Sequence, residues 1–241
     1  MNLKKSILII LACSSFIGMS QTVDAALWSG LSLKADVAKK WGVSYETQTR
    51  FHKNASTLRQ YYNEISVEYE FLKNTEFQVD YRYSRKSNDG YFTPENRLSL
   101  NLSYSTDIGK LPLELSSRVR YQNAFDRLQV INETIYPDVS QVFRWKFNLE
   151  YEKFKRLRPS IGYEYFKSIH PFGTGGFQDG FRGYVSLNID LPARHEFDLK
   201  YIFEREYRSA VQDFHIYMVQ YSYTLDKDLF KKKKKKKKKD D

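Results

Sequence analysis

Charged side chains that recur two residues apart give this chain most of its scope for chemistry. Glu46 and Arg50 open the series, and Glu68, Asp80 and Arg82 continue it. Arg97, Arg118, Arg120, Arg144 and Glu150 follow, then Glu164, Arg182, Lys200 and Glu204. Acids and bases interleaved in this way have two uses. Facing one another, they make a self-neutralising polar interior, because a buried charge is tolerated only with a partner. Alternatively, Arg97, Arg118, Arg120 and Arg144 line a constriction that passes small anionic solutes, as basic rings do in anion-selective pores.

Catalysis has less to work with. A nucleophile needs a base that is itself oriented by a third group. The histidines are His52, His170, His195 and His215, and none has His-x-Ser or metal-ligand spacing. His215, just after Asp213, is the best-placed base, but Ser222 lies too far along the chain to be its nucleophile. Gly173, Gly175, Gly176 and Gly180 form no phosphate-cradling motif and mark a flexible polar loop. The single cysteine, Cys13, excludes a disulfide framework and a thiolate metal site. The expectation is no enzyme activity, no cofactor and no metal.

The elements that must position these charges are strands. Trp41, Val43, Tyr45, Thr47, Thr49 and Phe51 alternate with Gly42, Ser44, Glu46, Gln48 and Arg50, a period of two. Tyr61 to Phe71 and Phe77 to Tyr83 repeat the pattern, as do segments around Leu100, Leu115, Phe147, Tyr163, Val185, Leu199 and Val219. Ten strands follow, each with one apolar and one polar face. Leu31, Leu33, Ala35 and Val37 also alternate, which would give an eleventh strand. Bacterial barrels have even strand counts with both ends in the periplasm. Residues 27–38 are therefore expected to be a periplasmic or lumenal N-terminal segment, or part of the barrel's closure.

Flanking segments set the compartment. Lys4 and Lys5 precede an apolar run through Met19, and Val23-Asp24-Ala25 offers a small-residue cleavage site, so residues 1–25 read as a secretory signal peptide. A lipidated Cys13 is the lesser alternative, since the apolar run continues past it. The formal charge of +10 is dominated by residues 231–239, an unbroken lysine run before Asp240 and Asp241. That concentration removes the argument for a nucleic-acid partner, which a basic chain would otherwise suggest. Residues 231–241 read as a disordered low-complexity tail; its functional use would be an electrostatic tether to anionic lipid or lipopolysaccharide.

Residues 26–230 form one domain without a linker-like break. The strands run about ten residues, the length that crosses a bilayer at a tilt, against about five or six in soluble sheets. Short connections at residues 73–74, 106–110, 152–156 and 190–194 alternate with longer ones at 52–58, 86–94, 123–141 and 168–180. Outer-membrane barrels alternate short periplasmic turns with long outer loops in this way. The 19 tyrosines and 17 phenylalanines supply aromatic girdles, and a mean hydropathy of −0.62 does not conflict, because only one face of each strand must be apolar. The fold expected is an all-β, antiparallel up-and-down transmembrane β-barrel of about ten strands, with twelve as the alternative.

Particular stretches resemble a known group. Tyr81-Arg82-Tyr83-Ser84-Arg85, Asn88-Asp89-Gly90, Glu95-Asn96-Arg97-Leu98, Arg118-Val119-Arg120-Tyr121, Leu157-Arg158-Pro159-Ser160-Ile161 and Tyr221-Ser222-Tyr223 carry the resemblance. Over residues 28–225 the chain resembles a bacterial outer-membrane barrel family defined only as a domain of unknown function. The resemblance implies an outer-membrane location and carries over no activity or site residue. The lysine tail departs from the pattern, in which the chain would end near an aromatic closing strand.

The expected partners are outer-membrane lipid, lipopolysaccharide, the barrel assembly machinery during insertion, and an unspecified small solute. A barrel of about ten strands lies nearer the side-chain-filled eight-stranded type than the open porins, which favours a structural polar core over a narrow solute channel. Two alternatives stand beside these: binding or adhesion through the outer loops, and a soluble periplasmic lipocalin-like barrel with its apolar face inward.

Overall fold

The protein is described from a computed structural model over residues 24–88, 91–131, 134–169, 179–207 and 211–225. The expected signal peptide up to residue 23, the lysine tail, His170 and the glycines at 173, 175 and 176 lie outside the described residues.

Alternation becomes strand throughout. The elements are β1 (Asp24–Ala38), β2 (Trp41–His52), β3 (Thr57–Leu72), β4 (Thr75–Asn88), β5 (Tyr91–Asp107) and β6 (Leu113–Ile131). Then come β7 (Thr134–Tyr151), β8 (Leu157–Ser168), β9 (Asp179–Leu191), β10 (His195–Tyr207) and β11 (Val211–Leu225). Each strand pairs antiparallel with the next, and β1 pairs with β11 in parallel to close the barrel. Closure gives every strand two hydrogen-bonded neighbours, leaving no edge to desolvate in a bilayer.

The all-β, mainly antiparallel barrel is as the alternation predicts, with eleven strands, between the expected ten and twelve. The difference is β1. Of the readings open for residues 27–38, closure holds and the separate N-terminal segment does not: they are part of the wall. Trp28 pairs with Met218 and Arg50, and Leu31 with Tyr221 and Thr47. An odd count forces one parallel seam, and here twelve residue pairs from Asp24↔Phe214 to Ala35↔Leu225 form it. The segment qualifies as wall because Leu31 and Leu33 are exposed outward while Ala26 and Ser32 are buried inward.

One end of the barrel carries short turns: residues 39–40, 73–74, 108–112 and 152–156, and a 3-10 turn at Pro192–Arg194. Asn74, Gly109 and Ala193 take positive φ there, as tight turns require. At the other end the strands run well past the expected ten residues. Residues 86–94 and 123–141, expected as loops, are largely paired: Lys86↔Thr93 and Gln129↔Tyr136 extend the β4–β5 and β6–β7 hairpins. An antiparallel ladder continues for as long as its two strands stay adjacent. The turn at residues 53–56 holds Lys53, Asn54 and Ala55 at left-handed φ, and Ala55 N donates to Ala25 O at 3.0 Å, tying it to β1.

The outward face is apolar on every strand, with Ile65, Leu102, Ile161, Val185 and Tyr217 all exposed. Neighbouring rings contact across it, as Trp41 and Tyr69 do at 4.6 Å between centroids. A soluble lipocalin-like barrel has the opposite arrangement, with its apolar residues inside. The exterior is thus mostly apolar, with a few polar side chains such as Thr49, Asn63 and Ser117 among the aliphatic and aromatic ones.

Candidate functional site

Inward positions bring distant strands together. On β2, Arg50 lies above Trp28 of β1, its Cζ 3.8 Å from the ring centroid, and within 5.1 Å of Tyr62 of β3. Tyr62 is also covered by Arg82 of β4, its Cζ 3.6 Å from the ring centroid. In the other direction Arg182 of β9 lies 5.6 Å from Trp28 and 5.2 Å from Phe166 of β8, and Arg144 of β7 lies 5.6 Å from Phe166. The order Arg144, Phe166, Arg182, Trp28, Arg50, Tyr62, Arg82 is one alternating stack of guanidinium and aromatic planes. It crosses the lumen toward the end opposite the short turns. A desolvated cation over a ring gains about 2 kcal/mol or more.

Carboxylates supply the opposite charge. Arg82 Nε donates to Glu64 at 2.6 Å, and Arg182 donates to both oxygens of Glu204 at 2.7 and 3.0 Å. Glu164 accepts from Arg144 at 2.6 Å, with Arg182 at 3.5 Å and Arg118 at 3.6 Å. The Tyr62 hydroxyl donates to Glu46, which also accepts from Gln220 at 2.9 Å. Beside the stack, Asp80 accepts from Gln78, Asn101 and Arg120 at 2.6, 2.8 and 3.0 Å, and Arg97 pairs with Glu95 at 2.8 Å. Tyr62 and Asp80 are 2 % and 1 % exposed, so side chains fill this section of the lumen.

The opposite wall is filled differently. Ala26, Tyr184, Ile202 and Ile216 form an apolar cluster against which Trp28 and Phe214 pack. Toward the short turns the lumen opens into a polar cavity of about 310 Å³, lined by Lys34, Arg82, Arg118 and Arg120, by Glu46 and Glu64, and by Ser32, Ser44, Ser66, Gln78 and Gln220. Arg118 Nε is buried there without a hydrogen-bond partner among the described residues.

Of the charges singled out in the sequence, Arg50, Arg82, Arg144, Arg182, Glu164 and Glu204 meet in or against the stack, Glu46 through Tyr62. Asp80, Arg97 and Arg120 form the adjoining wall, and Arg118 faces the cavity. Glu68, Glu150 and Lys200 stand apart: Glu68 lies beneath Gly42, Glu150 is 3.4 Å from Arg158, and Lys200 is 2.9 Å from Asp198. Sequence reasoning omitted Trp28, Phe166 and Tyr184 and gave Tyr62 no role. Their signal was an aromatic residue on the charged face of the alternation.

The histidines are placed elsewhere. His215 shares a 2.6 Å hydrogen bond with Tyr201, and His195 bonds the Tyr221 hydroxyl, both pairs on the outward face. Ser222 is buried, one residue past Tyr221, so it faces the lumen and turns away from His215. Among the described residues no three His, Cys, Asp or Glu side chains converge as a metal site.

A family model described as "Protein of unknown function (DUF2490)" matches residues 25–215, from the start of β1 into β11. The chain belongs to this DUF2490 family. No curated protein matches the sequence. Among solved structures, one described as "NanC porin structure in rhombohedral crystal form" resembles the DUF2490 barrel at a TM-score of 0.47 and 13% identity. The likeness covers 75% of this chain and 86% of that one.

Proposed function

We propose that this DUF2490 protein is an outer-membrane β-barrel, its short turns in the periplasm, whose lumen is closed at rest by the arginine–aromatic stack and its carboxylates. The observation that carries the reading is the burial of Tyr62, Arg82, Phe166 and Glu164 in mid-lumen, all under a tenth exposed. Side chains lining a water-filled channel are solvated, whereas these are packed and paired, as in narrow barrels. The charges act first as a polar core that holds the wall together, and the protein catalyses no reaction.

Planar-bilayer recording tests this. The wild-type barrel is expected to show no steady conductance, and Tyr62→Ala combined with Phe166→Ala to produce open steps. Steady wild-type conductance would sink the closed reading. It would favour instead a narrow anion channel, supported by Lys34, Arg118 and Arg120 around the polar cavity and by the unpartnered Arg118 Nε. Reversal potentials under a salt gradient then measure the selectivity.

A further inference from the structure

The short-turn end carries a charge pattern that the stack does not use. Residues 39 and 40 are both lysine, with Val37 and Trp41 exposed on either side. Lys73 follows exposed Phe71 and Leu72, and Lys110 sits between exposed Ile108 and Leu111. Lys153, Lys155 and Arg156 surround exposed Phe154, and Arg194 follows exposed Leu191. All of these cations are exposed; Glu152 is the sole acid between the strand ends, while Asp36, Glu70, Asp107 and Asp190 stand among the last residues of the strands that flank the turns. Among the described residues, none of the six lysines is held in an ion pair. The described turn at the opposite end, residues 53–56, holds one cation, Lys53.

We propose that these five turns form a basic collar that binds the phosphate groups of anionic phospholipids in the periplasm-facing leaflet. The first four turns each offer a lysine beside an exposed apolar side chain, and in the fifth Arg194 donates to Leu225 O at 3.3 Å. At a lipid interface the apolar group enters the acyl boundary while the ammonium reaches back to the headgroup phosphate. An acidic soluble partner would match the charge but would leave Leu72, Leu111 and Phe154 in water. Five turns spaced around a closed ring also meet a leaflet at one level, so their attractions to it add together and weaken with salt.

The inference rests on the outer-membrane reading, and one experiment separates the two. The full chain is reconstituted in phosphatidylcholine bilayers containing trace spin-labelled phosphatidylglycerol or phosphatidylcholine. The lipid held at the barrel surface is then read from the motionally restricted spectrum. Wild type is expected to favour phosphatidylglycerol by at least about twofold at low salt, less in high salt. The variant K39Q/K40Q/K73Q/K110Q/K153Q/K155Q keeps its surface lipid but loses most of that preference, while K53Q/K167Q at the opposite rim retains it. Equal preference in wild type and the six-site variant overturns the collar and leaves the barrel standing. Absence of restricted lipid of either kind, in samples still folded by their unboiled gel mobility, overturns the membrane reading itself.

Discussion

Arg82 shows how much one side chain holds in this lumen. It stacks on Tyr62 and donates to Glu64, and arginine and carboxylate are both buried. Arg82→Ala leaves Glu64 charged and unpaired in the interior, a loss of about 3–5 kcal/mol. Urea unfolding of the reconstituted barrel should show the drop, and replacing both partners with apolar residues of similar volume should recover most of it. Arg82→Lys should not restore stability, because an ammonium lacks the plane that covers the ring. Gly162 is constrained by space: a Cβ there would lie 2.2 Å from the Tyr184 ring and 2.7 Å from Phe147 O. Gly162→Ala should therefore cost about 1–3 kcal/mol through overpacking. An unchanged unfolding midpoint would show that Tyr184 has room to move.

At the scale of elements, β1 is the test of the wall. Ser29 and Val219 are register partners across the parallel seam, both on the outward face. Ser29→Cys with Val219→Cys should cross-link in the folded protein and give a new band on a non-reducing gel. No cross-link would mean that β11 closes directly on β2. Ten strands and their two faces were legible because alternation is a local signal, carried within each segment. β1 has the same alternation, and what misled was a rule about even strand numbers applied from outside the sequence. The loops at 86–94 and 123–141 were misread for a related reason: polar residues at the outer end of a hairpin look like loop residues, yet their backbones still pair. Alternation also put Arg50, Tyr62 and Arg82 on the inward face. That they stack in order with Trp28, Phe166 and Arg182 depends on the stagger of eleven strands, which no single segment encodes.

Across the whole molecule, the lumen divides into unlike halves. Charged pairs fill the wall from β3 to β6, whereas on the other side the pairs Arg144–Glu164 and Arg182–Glu204 share the lumen with the apolar cluster of Ala26, Tyr184, Ile202 and Ile216. With wall and interior both closed, the folded chain should resist SDS until boiled and migrate differently heated and unheated. Identical mobility in both lanes would count against closure. The parallel seam has a further consequence for how the chain is threaded. Because β1 descends alongside β11, the polypeptide enters the wall at one rim and leaves it at the other. Epitope tags placed just ahead of Ala26, past the expected cleavage site, and just after Leu225 would thus face opposite compartments. The ring cannot be sealed until its last strand has arrived.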